Sequence, residues 1–73
     1  MLLKSDQEFL LQVHRLVRGT GLGFTSRIDA AALATDGNAI IDRLLGDRYL
    51  FETHAMVMLT ADGVEAAIGL NRL

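Results

Sequence analysis

The stretch from Asp29 to Ala67 constrains the fold more than any other part of the chain. Its apolar residues recur at helical spacing in two short pieces, change to two strand-like runs, and return to helical spacing from Val64 onward. A period near 3.6 gives way to a period of 2 and comes back. Only a mixed helix and sheet domain accommodates that order.

At 73 residues the chain makes one domain, spanning 1–73. A domain this small buries only about 60% of the surface its unfolded form exposes, so its core must be rich in aliphatic side chains. The hydrophobic share of 51% meets that need, and a charged share of 22% argues against a disordered tail. Without cysteine, neither a disulfide framework nor a zinc ribbon holds the fold together.

Ser5-Asp6-Gln7-Glu8 has the spacing of a capping box, which predicts that the first helix starts there. Phe9, Leu10, Val13, Leu16 and Val17 then line one helical face, and Arg15, Arg18 and Gly19 supply the signals of a helix end. Gly19-Thr20-Gly21-Leu22-Gly23 looks superficially like a phosphate-cradling loop. It follows a helix and lacks the Lys-Ser or Lys-Thr pair of a P-loop, so a plain connector is the expectation.

Phe24 to Ile28 reads as a short edge strand, with Asp29 capping a helix through Ala30 to Ala34. Thr35-Asp36-Gly37 breaks that helix, and Asp36 or Asn38 caps the next. In it Ile40, Ile41, Leu44 and Leu45 form the inward stripe, leaving Asn38, Ala39, Asp42, Arg43 and Asp47 outside. Tyr49–Thr53 and Ala55–Leu59 should pair as a hairpin with His54 near the joint. The Asn-Gly or Asp-Gly of a tight turn is missing, which leaves the register open. Thr60 caps a last helix that carries Val64, Ala67 and Ile68 inward.

Leu44-Leu45-Gly46-Asp47-Arg48-Tyr49-Leu50, the hairpin, and Leu59-Thr60-Ala61-Asp62-Gly63 resemble the tail of bacterial winged-helix regulators: recognition helix, strand, wing, and a helix opened by L-T-x-x-G. The likeness covers residues 24–70. It implies a small α+β winged-helix domain of three to four helices, with a short two- or three-stranded antiparallel β wing. In such DNA readers the second helix of the pair enters the major groove. The resemblance thereby implies DNA contacts from Asn38, Ala39, Asp42 and Arg43, with Thr53 and His54 at the wing tip and Arg27 flanking the groove. Asn38 could pair with adenine and Arg43 with guanine. A cytoplasmic, dimeric transcription regulator is the functional expectation.

Two features point toward a different use of the same fold, a protein-binding adaptor or inhibitor without DNA contact. Between Asp29 and Leu50 two arginines face four aspartates, the wrong sign for a segment meant to meet phosphates, and the whole chain carries −2 with a pI near 5.5. Leu50, Phe51, Met56, Val57, Met58 and Leu59 also make both faces of the hairpin apolar, although one face of a two-stranded wing ordinarily meets water. Leu11, Phe51, Met56, Met58 and Leu70 are the candidate partner-binding residues, and a homodimer or another protein the candidate partner.

No poised nucleophile or acid-base pair is visible, so catalysis and cofactors are not expected. His14 and His54 are forty positions apart on different elements and do not suggest a metal pair. No apolar run reaches the roughly 18–20 residues of a membrane span, and the acids at Asp6 and Glu8 argue against a signal peptide.

Overall fold

A computed structural model describes residues 2–71, and the side chains of residues 2–69. Seven elements follow in order: α1 (Lys4–Thr20), β1 (Thr25–Ser26), α2 (Arg27–Ala31), α3 (Gly37–Gly46), β2 (Leu50–Thr53), β3 (Met56–Leu59) and α4 (Ala61–Asn71). The strands make one antiparallel sheet in the order β1-β3-β2. Four helices with a three-stranded sheet in this sequence form a small α+β domain of winged-helix type.

The core is built where helical and strand periodicities meet. Phe9, Leu10, Val13 and Val17 from α1 pack with Ile40, Ile41 and Leu44 from α3, Leu50 and Val57 from the sheet, and Ala67 from α4. Each contributes on the order of 1.5–3 kcal/mol if its side chain is fully withdrawn from water, Ala67 rather less. Helix α1 packs most extensively on α4, and Gln7 Nε2 donates to the Ala66 carbonyl at 2.8 Å across that seam.

Several local expectations are corrected. The Ser5 capping box does not form: the N-cap is Leu3, two residues earlier and without a side-chain bond, and Asp6 turns inward. The helix also passes Gly19 and stops at Gly21, whose φ of 70° is the left-handed stop that glycine adopts without strain. Thr20 then ties the connector together, with its hydroxyl 2.7 Å from Val17 O and 3.0 Å from Phe24 O while it accepts from the Leu22 N–H. The strand expected over 24–28 is reduced to Thr25–Ser26. Ser26 caps α2 by accepting from the Asp29 N–H at 3.1 Å, which places Asp29 inside the helix rather than before it. Helix α2 ends at Ala31, short of Ala34.

The hairpin register is definite. Leu50 lies across from Leu59, Phe51 from Met58, Glu52 from Val57 and Thr53 from Met56. The joint is a two-residue turn in which His54 and Ala55 have φ of 52° and 60°, the left-handed pair that matches the twist of the flanking strands. Neither residue is glycine, so the turn is strained by about 1–2 kcal/mol per position.

Helix α4 starts as its sequence indicates. Thr60 Oγ1 accepts from the Gly63 N–H at 3.0 Å and donates to Arg48 O at 2.6 Å, so one hydroxyl caps α4 and fastens it to the turn before β2. Gly63 is required because a Cβ there would collide with the Tyr49 carbonyl. Ala67 is fully buried, while Val64 and Ile68 are half-buried.

Candidate functional site

Two surfaces collect the residues singled out by the sequence. One is the outward face of α3 with the flanking Arg27, and the other is the side of the sheet turned away from the core.

Helix α3 presents Asn38, Ala39, Asp42 and Arg43 to solvent, because Ile40, Ile41 and Leu44 occupy the opposite stripe. The polar groups on that face are engaged within the molecule. Arg27 leaves the β1–α2 junction and reaches across to α3 and β2. Its Nε donates to Asn38 Oδ1 at 3.0 Å, one Nη to Asp42 Oδ1 at 2.7 Å, and the other to Glu52 Oε1 at 2.8 Å. A further contact runs to the Asn38 carbonyl at 3.3 Å. The hydrogen bond to Asp42 is the main cause that raises the Arg27 pKa, opposed by burial and supported by Glu52.

Arg43 is committed in the same way. Its Nε and Nη2 donate to the two oxygens of Asp6 at 3.0 and 2.8 Å, a parallel two-point pairing that favours both charged forms. The Asp6 side chain retains 6% exposure, whereas that of Arg43 retains 48%. Hydrogen bonding from Arg43 holds the Asp6 carboxyl below its ordinary value, against the opposing effect of burial. Asp36 adds a weaker, longer-range attraction that helps keep Arg43 charged.

The chemical consequence for base reading is specific. Recognition of adenine by asparagine needs the carboxamide oxygen as well as the nitrogen, and recognition of guanine by arginine needs a free donor fork. In this chain Arg27 takes a bond to the Asn38 oxygen, and Asp6 takes the Nε–Nη2 edge of Arg43, which leaves the Nη1 edge of that guanidinium open. Ala39 carries no polar group, Asp42 is paired, and exposed His54 at the wing tip has its Nδ1 3.1 Å from Thr53 Oγ1.

On the sheet, the register puts Phe51, Thr53, Met56 and Met58 on the outer face, with Leu50, Glu52, Val57 and Leu59 on the inner one. Phe51 is 53% exposed, and Met56 and Met58 are half-buried. Three of the five apolar residues expected to bind a partner, Phe51, Met56 and Met58, therefore share one face. Leu11 does not join them: at 8% exposure it belongs to the core, because α1 is covered on more sides than a single stripe allows. The side chain of Leu70 lies outside those described.

Asp6 and Glu52 carry no signal in the sequence that marks them as site residues. Their partners Arg43 and Arg27 are 37 and 25 positions away, and no local spacing links them. Ile28 is a further exposed apolar residue, at 81%, which a strand over 24–28 would have concealed. No group of side chains suited to a metal ion occurs among the described residues, and no described helix is long and apolar enough to cross a membrane. No protein-family model, curated protein or solved structure matches the chain.

Proposed function

We propose that this chain is a protein-binding winged-helix module, which docks the outer face of its sheet on an apolar surface of another protein. The observation that carries this reading is the apolar outer face shared by exposed Phe51 and half-buried Met56 and Met58, beside an α3 face whose Asp42 and Arg43 are paired with Arg27 of α2 and Asp6 of α1. Methionine suits such a face, since its flexible, polarisable side chain adapts to an apolar partner. The acidic balance of the chain disfavours a polyanionic partner and leaves a protein as the better match.

A benzophenone side chain introduced at position 51 in the native host tests the proposal. It should form an adduct with one discrete protein, while the same group at exposed Asp29 should not. That protein, once purified, should bind the wild-type chain and lose affinity for Phe51→Ser and Met58→Ser. Absence of an adduct at 51, or equal binding by both variants, overturns the reading.

The alternative, a dimeric DNA-binding regulator, has the solvent exposure of Asn38, Ala39 and Arg43 in its favour. It requires Arg27 to leave its carboxylates, and Arg43 to meet phosphates or bases through the Nη1 edge that Asp6 leaves open. Fluorescence anisotropy with a random duplex pool in low salt decides it. Retention of duplex with a steep inverse dependence on salt would support DNA binding.

A further inference from the structure

A cavity of about 230 Å³ opens between the first turns of α1 and the α2–α3 connection, away from the outer sheet face. Its floor is apolar, formed by buried Phe9 and Ile40 with half-buried Leu33. Exposed Glu8 on α1 and Asp36 at the N-cap of α3 stand at its rim. Asp6 and its partner Arg43 line the same space, so Asp6, Glu8 and Asp36 against Arg43 leave it with a net charge of −2; Asp36 attracts Arg43 at longer range but forms no ion pair with it among the described residues.

The size and chemistry of this space restrict what can occupy it. Small-molecule and cofactor sites typically measure roughly 300–1,000 Å³, so the cavity is suited to one long side chain rather than to a whole cofactor. An occupant must lay an apolar stem on Phe9, Leu33 and Ile40 and bring a positive charge to Glu8 and Asp36. Lysine and arginine have that construction, a hydrocarbon stem ending in a cation that stays near water.

We infer that the cavity receives a basic side chain, lysine or arginine, of the protein partner, as a second anchor beside the contact made by the sheet. This rests on the reading of the chain as a protein-binding module, and it assigns that partner a basic residue.

The test is a titration of the isotope-labelled chain with N-acetylarginine amide and N-acetyllysine amide, followed by amide chemical shifts. The neutral isostere N-acetylcitrulline amide is the control. The cationic amides should produce saturable shifts at Glu8, Phe9, Asp36 and Ile40, and citrulline amide should not. The double variant Glu8→Gln/Asp36→Asn should bind about fivefold more weakly, the scale expected for two exposed charge contacts. Both replaced side chains are exposed, and Asp36 makes no capping bond, so the fold should survive the change. No saturable shift, equal shifts with citrulline amide, or undiminished binding by the double variant overturns the inference. If a partner found through position 51 binds while the amides do not, the cavity proposal fails and the protein-binding reading stands. If the amides bind but position 51 captures no partner, the protein-binding reading fails and the cavity keeps its preference for a cation.

Discussion

Asp6 and Arg43 form one pair whose two halves are not equivalent. The carboxylate is buried and the guanidinium half-exposed, so deleting Arg43 strands a charge away from water, whereas deleting Asp6 releases an arginine that water can solvate. Chemical denaturation at pH 7 should therefore show Arg43→Ala losing more stability than Asp6→Asn. For the same reason, loss of any binding activity in Arg43→Ala would report on the fold as well as on the surface. The pH dependence has a definite sign. The folded Asp6 pKa lies below its ordinary value of about 3.8, so the pair contributes stability above that value and loses it as pH falls through the lower, folded one. Urea midpoints measured from neutral pH down through this range should fall more steeply for the wild type than for Asp6→Asn.

Among the elements, the wing and the last helix depend on single backbone positions in opposite ways. Ala55 holds a left-handed φ of 60° that glycine adopts without a Cβ clash, so Ala55→Gly should raise the denaturation midpoint, by up to about 1 kcal/mol in stability. Gly63→Ala should destabilise by roughly 2 kcal/mol or more, because the new methyl meets the Tyr49 carbonyl and α4 must shift. These residues also mark what a sequence can convey. The L-T-x-x-G string identifies Thr60 as a cap, a contact within four residues, but leaves no local trace of the reason for Gly63, since Tyr49 lies outside the helix. The stripe Ile40, Ile41, Leu44 is readable because periodicity is local and hydrophobic burial follows it. Ser5 misleads because its capping spacing competes with an inward position for Asp6, and a partner 37 positions away decides the outcome. The hairpin turn stays open in the sequence because its residues tolerate, rather than favour, the conformation they adopt.

For the molecule as a whole, the distribution of polar pairing decides which surface faces the world. Arg27 joins α2, α3 and β2 through Asn38, Asp42 and Glu52, so it braces the helix pair against the wing. Phe51, Met56 and Met58 carry no charge to pair, and Phe51 is the most exposed of the three. Replacing exposed Phe51 with serine should leave the stability measured by thermal denaturation within about 1 kcal/mol of wild type, as expected of a surface position, while weakening capture of the proposed partner. The outer sheet face and the fold would then separate in one experiment. The residues expected to meet DNA are exposed, apart from half-buried Arg27 and Thr53, but exposure alone does not reveal that Asp42, Glu52 and Asp6 engage donors of the two arginines.

The Gln7–Ala66 bond and the burial of Ala67 among residues of α1 and α3 have a bearing on how the chain comes into being. During synthesis α1 emerges before the elements it packs on and must wait, its greasy side uncovered, until α4 has left the ribosome. Assembly is consequently a late event, and a nascent chain halted after Leu59 should be digested by protease, whereas one released beyond Asn71 should resist.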